Sequence, residues 1–386
     1  MFVLQVDFEK NMSEDDYESI LLVSHAFPPD VGGAQNVAVQ NARALSQSYD
    51  LEVLTGTPAA SGWDDQYNFE VTRLNISFGL WPLWYAVAFT QRRKKSYKAV
   101  ILNDPASIYA AGLSAPQSIL RRSIAYLHGS EPEFFFLSPK FLYRLIRFRH
   151  YFVKGLNRCQ VVVPVSKYMK RKFIEQTGLD HLQSKMQVSY AGVDHAVFYP
   201  DPFEFRQSYG IEESSEVLLS ASRIVKGKGY DEMLSIFKKL HEEDRAFHWV
   251  IAGDGHYREA LTNKVKRAGL SNVVTFLGEI PQEELRQYYS SVDVFWLLSR
   301  FQEAFGLAYI EANACGVPVI GRNHGGIPES IKDKETGFVV DEPEECIDIL
   351  RSRCYNQLSA KEIRDHANNF SLSRVIKKLH SIIEGV

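Results

Sequence analysis

The chain has 386 residues, of which 45% are hydrophobic and 24% charged, and its formal net charge is -3 at pH 7. That length exceeds one ordinary core and suits two domains of a folded protein. The near-neutral balance excludes a global nucleic-acid footprint, and four cysteines without a close pair argue against a disulfide framework and for a reducing, cytoplasmic setting.

Residues 1–18 end in an acidic polar run and read as an extension, without the basic and then apolar order of a signal peptide. Residues 20–24 read as a buried strand, followed by a Pro-Pro-Asp-Val-Gly-Gly loop and a helix over 34–47. Further strands are expected at 51–55, 99–103, 123–128 and 161–166. The longest apolar run, 79–90, is too short to span a bilayer. Short continuous apolar runs alternating with helices indicate parallel strands covered on both faces. After a break at Tyr199-Pro200-Asp201-Pro202 the pattern restarts, with strands at 216–220, 247–252, 273–277, 293–297 and 317–321. The expectation is an α/β fold of two doubly wound Rossmann-like domains, 1–200 and 201–370, facing each other across a cleft. A helix over 371–386, with apolar residues at helical spacing, is expected to pack back on the first.

Charge is uneven along the chain. Residues 134–174 contain no Asp or Glu but ten Lys and Arg: Lys140, Arg144, Arg147, Arg149, Lys154, Arg158, Lys167, Lys170, Arg171 and Lys172. A second cluster, Arg92-Arg93-Lys94-Lys95, follows an aromatic run. Amphipathic helices of that composition suit an anionic membrane surface, and equally a helix with one buried and one solvated face.

The residues that invite chemistry lie at strand ends. In 301–320, Glu303 falls on a loop and Glu311 inside a helix that starts near Gly306. Free N–H groups at such a helix start bind anions, and a nearby carboxylate accepts from paired sugar hydroxyls, so the layout suits a sugar nucleotide. Arg223 and Lys228 follow the strand at 216–220 and could clamp a diphosphate; a solvated basic loop reads equally well. Lys226 competes for the second cation, and Lys228 is preferred because it precedes the glycine that opens the next helix. Gly32 and Gly33 sit between a strand and a helix, where phosphate can meet backbone N–H groups or where a plain tight turn is needed. His128 ends a strand and suits either a sugar contact or a structural role.

Together these residues resemble the retaining GT-B glycosyltransferases of family four. The resemblance rests on Arg223 with Lys228-Gly229, Gly253-Asp254-Gly255, Phe276-Leu277-Gly278, and Glu303 and Glu311 around Phe305-Gly306. His324-Gly325-Gly326-Ile327-Pro328-Glu329 and Thr336-Gly337-Phe338-Val339 extend it. It implies a nucleotide-sugar hexosyltransferase, with a UDP- or GDP-sugar as co-substrate and no metal or other cofactor.

The resemblance also implies roles. Glu303 holds the donor sugar, with Ala304 beside it and the backbone of Phe305, Gly306 and Leu307 closing over sugar and phosphate. Glu311 holds the ribose. Arg223 and Lys228 neutralise the diphosphate, helped by Gly32 and Gly33, while Gly253 adjoins the clamp. The backbone from Gly278 to Ile280 meets the base, and His128 lines the reaction centre. Ala304 stands where glycine is frequent and Asn313 where methionine is frequent, which bears on donor fine specificity. The expected acceptor is a glycan, a glycolipid or a small molecule, in surface polysaccharide or glycoconjugate assembly; the basic and aromatic segments would suit an acceptor at the inner membrane face, and equally a domain helix with one buried and one solvated face. The rival classes are a phosphorylase or epimerase on the same architecture and a non-catalytic carbohydrate-binding protein.

Overall fold

The computed structural model describes residues 19–30, 32–74, 81–129, 131–243 and 245–386. The extension expected over 1–18 and the start of the apolar run 79–90 lie outside the described residues. The chain divides into two compact units. One holds the described residues up to Tyr126 with Phe141–Val162 and Ile382–Val386; the other holds Leu127–Lys140 and Val163–Ser381.

The first sheet comprises β1 (Ser19–Ser24), β2 (Asp50–Thr55), β3 (Glu70–Arg73), β4 (Ala99–Leu102), β5 (Ser123–Leu127) and β6 (Val161–Pro164), in the order β3-β2-β1-β4-β5-β6. β1 runs parallel to β2 and β4, pairing Ile20 with Leu51 and with Ala99. From Ile20 onward β1 is buried, as a parallel strand covered on both faces must be. Its helices are α1 (Gly33–Leu45), α2 (Trp81–Gln91), α3 (Pro105–Ser114), α4 (Gln117–Leu120), α5 (Phe141–Leu145) and α6 (Phe148–Arg158), and α7 (Lys167–Thr177) follows β6. Asp104 starts α3 by accepting the Ser107 N–H at 2.7 Å, with Pro105 fixing the first turn.

Two cations that read as surface charge are internal. Arg92 is buried and paired with Glu52, whose carboxylate also takes the Tyr97 hydroxyl and Lys95. Lys172 is buried against Glu133 and the Gly129 carbonyl, each 2.7 Å away. The basic stretch is also broken into a turn at Glu133–Leu137 and the helices α5 and α6.

The second sheet repeats the plan with β7 (Glu216–Ala221), β8 (Phe247–Ala252), β9 (Val274–Gly278), β10 (Val294–Leu297), β11 (Val319–Arg322) and β12 (Gly337–Val340), ordered β12-β11-β10-β7-β8-β9. Its helices are α8 (Tyr230–Glu242), α9 (Arg258–Arg267), α10 (Gln282–Ser290), α11 (Leu307–Ala314), α12 (Ile327–Ser330), α13 (Pro343–Ser352), α14 (Ala360–Ala367) and α15 (Leu372–Glu384). Trp249 and Trp296 meet edge to face at 5.1 Å in its core, and the Trp249 indole N–H donates to Ser220. From β7 the chain builds outward through β8 and β9, then returns to place β10 on the other side of β7. That reversal opens a crevice beyond the carboxyl ends of β7 and β10, where open α/β sheets bind ligands.

Candidate active site

The loops leaving β7 and β10 meet at this crevice. After β7, the Ile224 N–H donates to the Asp254 carbonyl at 2.8 Å, tying the Arg223 loop to Gly253-Asp254-Gly255. A 3-10 turn at Lys226–Lys228 then delivers Lys228 to the start of α8. Gly229 at that start has φ 84°, and a Cβ there would lie 2.0 Å from the Leu298 carbonyl oxygen, so only glycine fits. The Arg300 N–H donates to the Gly227 carbonyl at 2.8 Å and joins the two loops.

Across this junction the Lys228 ammonium reaches Glu303 Oε1 at 2.6 Å, and the Ser299 hydroxyl donates to the same oxygen at 2.9 Å. The side chains are 16% and 24% exposed, so the pair is shielded but open to a ligand. Lys226 and Arg223 are exposed, and neither has an ion pair among the described residues. Of the two lysines, Lys228 pairs with Glu303 and Lys226 stays exposed.

The Glu303 loop is held from behind. The Gly326 N–H donates to the Glu303 carbonyl at 2.7 Å, and a Cβ at Gly326 would lie 2.1 Å from the Ala304 oxygen. Phe305 is buried against Tyr190 at 5.0 Å and Phe370 at 5.2 Å. Gly306 then starts α11, whose first-turn N–H groups and dipole favour an anion.

Glu311 lies on α11 and is half-buried. Burial of its carboxyl raises the pKa from the ordinary 4.5 to about 7, against hydrogen bonds from Tyr289 and Gln282 that pull it down. The Tyr289 hydroxyl donates to Oε2 at 3.4 Å. Gln282 opens α10, directly after the segment Gly278-Glu279-Ile280-Pro281. Asn313 behaves differently: it is buried, and its amide donates to the carbonyls of Val317 and Thr336. That side chain belongs to the core.

His128 is half-buried at the end of β5. Its N–H and that of Gly129 donate to the two oxygens of buried Glu131 at 2.6 and 2.7 Å. A Cβ at Gly129 would lie 3.1 Å from that of Ala304, so the His128 turn and the Glu303 loop are neighbours. Gly32 and Gly33 belong to the other unit, at the carboxyl end of β1, where Gly33 opens α1. Arg223, Lys228, Gly253, Gly278, Ile280, Glu303, Ala304, Phe305, Gly306, Leu307, Glu311 and His128 all lie in the second unit.

Sequence reasoning missed Ser299, Tyr289 and Gln282. Ser299 stands four residues before Glu303 at a strand end, a local signal; Tyr289 and Gln282 reach Glu311 only through tertiary packing.

Two doubly wound parallel sheets, each flanked by helices, define a two-domain α/β Rossmann-like protein. Residues 201–369 match the model of glycosyl transferases group 1, and 31–197 match that of glycosyltransferase family 4, most of the chain between them. The chain belongs to the GT-B group 1 glycosyltransferases and is a glycosyltransferase. It is 29% identical, over 83% of its length and 85% of the relative's, to the GDP-mannose-dependent alpha-(1-6)-phosphatidylinositol monomannoside mannosyltransferase of Mycolicibacterium smegmatis. A monoacylated-substrate counterpart from Corynebacterium glutamicum is 26% identical over 83% of this chain and 84% of its own. The solved structure of Anabaena HepE with UDP and glucose shares the fold, with a TM-score of 0.77 at 19% identity over 96% of this chain and 100% of that one.

Proposed function

We propose that this protein transfers a hexosyl unit from a nucleotide-diphosphate sugar to a lipid-linked acceptor, with retention of anomeric configuration and without a metal ion. The Lys228–Glu303 pair carries this reading. Both bonds fall on Oε1 of Glu303, which leaves Oε2 to accept from a donor-sugar hydroxyl, and the Lys228 ammonium neutralises the diphosphate. Arg223 adds the second cation, and Glu311 accepts from the ribose hydroxyls. Gly278 and Ile280 flank the base. Fixed positive groups and a helix N-terminus perform the charge neutralisation that a divalent ion would otherwise supply.

In the reaction the acceptor oxygen bonds to the anomeric carbon as the bond from that carbon to the phosphate oxygen breaks. The electron pair stays on the phosphate, and the acceptor's proton passes to it on the same face of the sugar. His128 lines this centre. GDP-mannose is the first donor to test, since the two mannosyltransferase relatives named for it each align over 83% of the chain. Acceptor-dependent release of GDP from GDP-mannose supports the reading. Release that requires only inorganic phosphate would replace it with a phosphorylase.

The acceptor surface proposed is an anionic membrane. Phe141, Leu142 and Leu145 on α5 are 79%, 62% and 68% exposed, with Arg144, Arg147 and Arg149 exposed beside them. Leu83, Trp84 and Val87 on α2 are exposed as well. Ring contacts from Trp81 through Tyr109 and Phe148 to Tyr143 connect the two helices. Apolar side chains ringed by arginines, in a stretch without acids, match anionic headgroups over acyl chains. No described helix is long and apolar enough to cross a membrane.

A further inference from the structure

Glu329 does work that its place in the Gly325-Gly326 motif does not announce. One carboxylate oxygen accepts the Lys167 N–H at 2.9 Å and the Tyr190 hydroxyl at 3.0 Å, and the other accepts the Tyr168 N–H. Those N–H groups open α7, which has no acid in its first turn and carries Lys167, Lys170, Arg171 and Lys172 near its start. A basic helix start is unfavourable to the dipole, and a carboxylate from 162 residues away corrects it. Ser166 completes the cap by accepting from Met169.

The same residues grip the donor loop. Gly326, three positions before Glu329, holds the Glu303 carbonyl. The Tyr190 ring lies 5.0 Å from Phe305 and 5.2 Å from Phe370, and Phe305 lies 5.2 Å from Phe370. The Val193 N–H donates to the Phe370 carbonyl and the Leu372 N–H to the Val193 carbonyl, so the segment after α7 and the segment before α15 are stapled at this point.

We propose that Glu329 and Tyr190 are positioning residues for catalysis, fixing the loop 301–306 against the start of α7 so that Glu303 meets the donor sugar in the reactive geometry. This rests on the reading of Glu303 as the donor-sugar ligand. Neither residue touches the reacting atoms. Their effect falls on kcat through the placement of the loop, because small displacements of a positioned group slow chemistry far more than binding.

The test compares wild type, Glu329→Gln, Tyr190→Phe and Glu303→Gln in turnover of GDP-mannose, or of UDP-glucose should the protein prefer it, with thermal unfolding measured in parallel. Tyr190→Phe keeps the ring against Phe305 and removes only the hydroxyl, so it folds even where Glu329→Gln does not. The expected result is a fall in kcat of roughly tenfold for Glu329→Gln and about threefold for Tyr190→Phe, with donor KM within about twofold. Unchanged kcat in Tyr190→Phe, or losses confined to melting temperature, would overturn the positioning role. Full turnover in Glu303→Gln would instead overturn the donor-site reading on which it rests.

Discussion

The Lys228 ammonium and Glu303 Oε1 stand 2.6 Å apart, although 75 residues separate them in the chain. A cation expected to meet phosphate and an acid expected to meet sugar are thus one unit, assembled at the reversal point of the second sheet. The loops that carry them are joined by the Arg300–Gly227 hydrogen bond, so the pair is set by backbone before any donor arrives.

Each half of this pair should depend on the other. Lys228→Ala leaves a shielded carboxylate beside the incoming phosphate, and Glu303→Ala leaves an uncompensated ammonium. Each single change is expected to lower kcat/KM by about 10²–10³-fold, the range for removing a fixed electrostatic group at a reacting centre. The double variant should lose much less than the product of the two losses, as coupled groups do. Additive losses in a kinetic double-mutant cycle would separate the two roles.

If Glu311 holds the ribose as proposed, donor binding should depend on pH. Its carboxyl titrates near 7 in the free protein, and ribose hydroxyls donate best to the ionised form. Donor binding therefore selects the carboxylate and releases a proton below pH 7. Affinity for GDP or UDP should rise as pH increases towards 7 and level off above it, and Glu311→Gln should abolish that slope. Calorimetry in buffers of different ionisation enthalpy reads the proton directly.

The same shift has the opposite sign for the stability of the free protein. The folded state holds the proton more tightly than the unfolded chain, so this contribution is complete below about 4.5 and lost as pH rises through about 7. The pH dependence of melting temperature between those values should flatten in Glu311→Gln.

Gly229→Ala should damage the clamp without touching a charged group. An added Cβ would lie 2.0 Å from the Leu298 oxygen at a backbone angle that disfavours any side chain. The strain alone costs about 1–3 kcal/mol. The expected outcome is a lowered melting temperature together with weaker nucleotide binding; an unchanged protein would mean that the loop is not held as described.

Membrane affinity should reside in α5. Leu145→Glu removes an exposed apolar contact and adds a repelling charge, and co-sedimentation with anionic vesicles at low salt is expected to fall while turnover of a water-soluble acceptor stays normal. Binding that survives Leu145→Glu, or wild type that ignores anionic vesicles, would contradict the surface assignment.

How far the sequence carries the fold depends on burial. β1 and β4 are built on continuous apolar runs and β8 is interrupted only by His248, and their spacing is enough to give two doubly wound sheets. β3 was not legible, because Glu70-Val71-Thr72-Arg73 is a polar edge strand covered on one side only. β12, also an edge, was visible only as the Thr336-Gly337-Phe338-Val339 motif. The motif residues were legible one by one, but their partners were not. Arg92 and Lys172 look like surface charge until Glu52 and Glu133 are seen to bury them, and no local composition reveals a partner 40 residues distant. The raised titration of Glu311 likewise comes from burial of its carboxyl by tertiary packing, which periodicity does not encode.

The central claim is that the crevice beyond β7 and β10 holds a nucleotide-diphosphate sugar through Lys228, Glu303 and Glu311. Thermal unfolding with GDP-mannose, UDP-glucose and ADP-glucose, in wild type and in Lys228→Ala, tests it most directly, since a ligand bound only by the folded state raises the melting temperature. A rise with at least one of these donors that disappears in Lys228→Ala is the predicted result. No rise with any of them, or an equal rise in the variant, would contradict it.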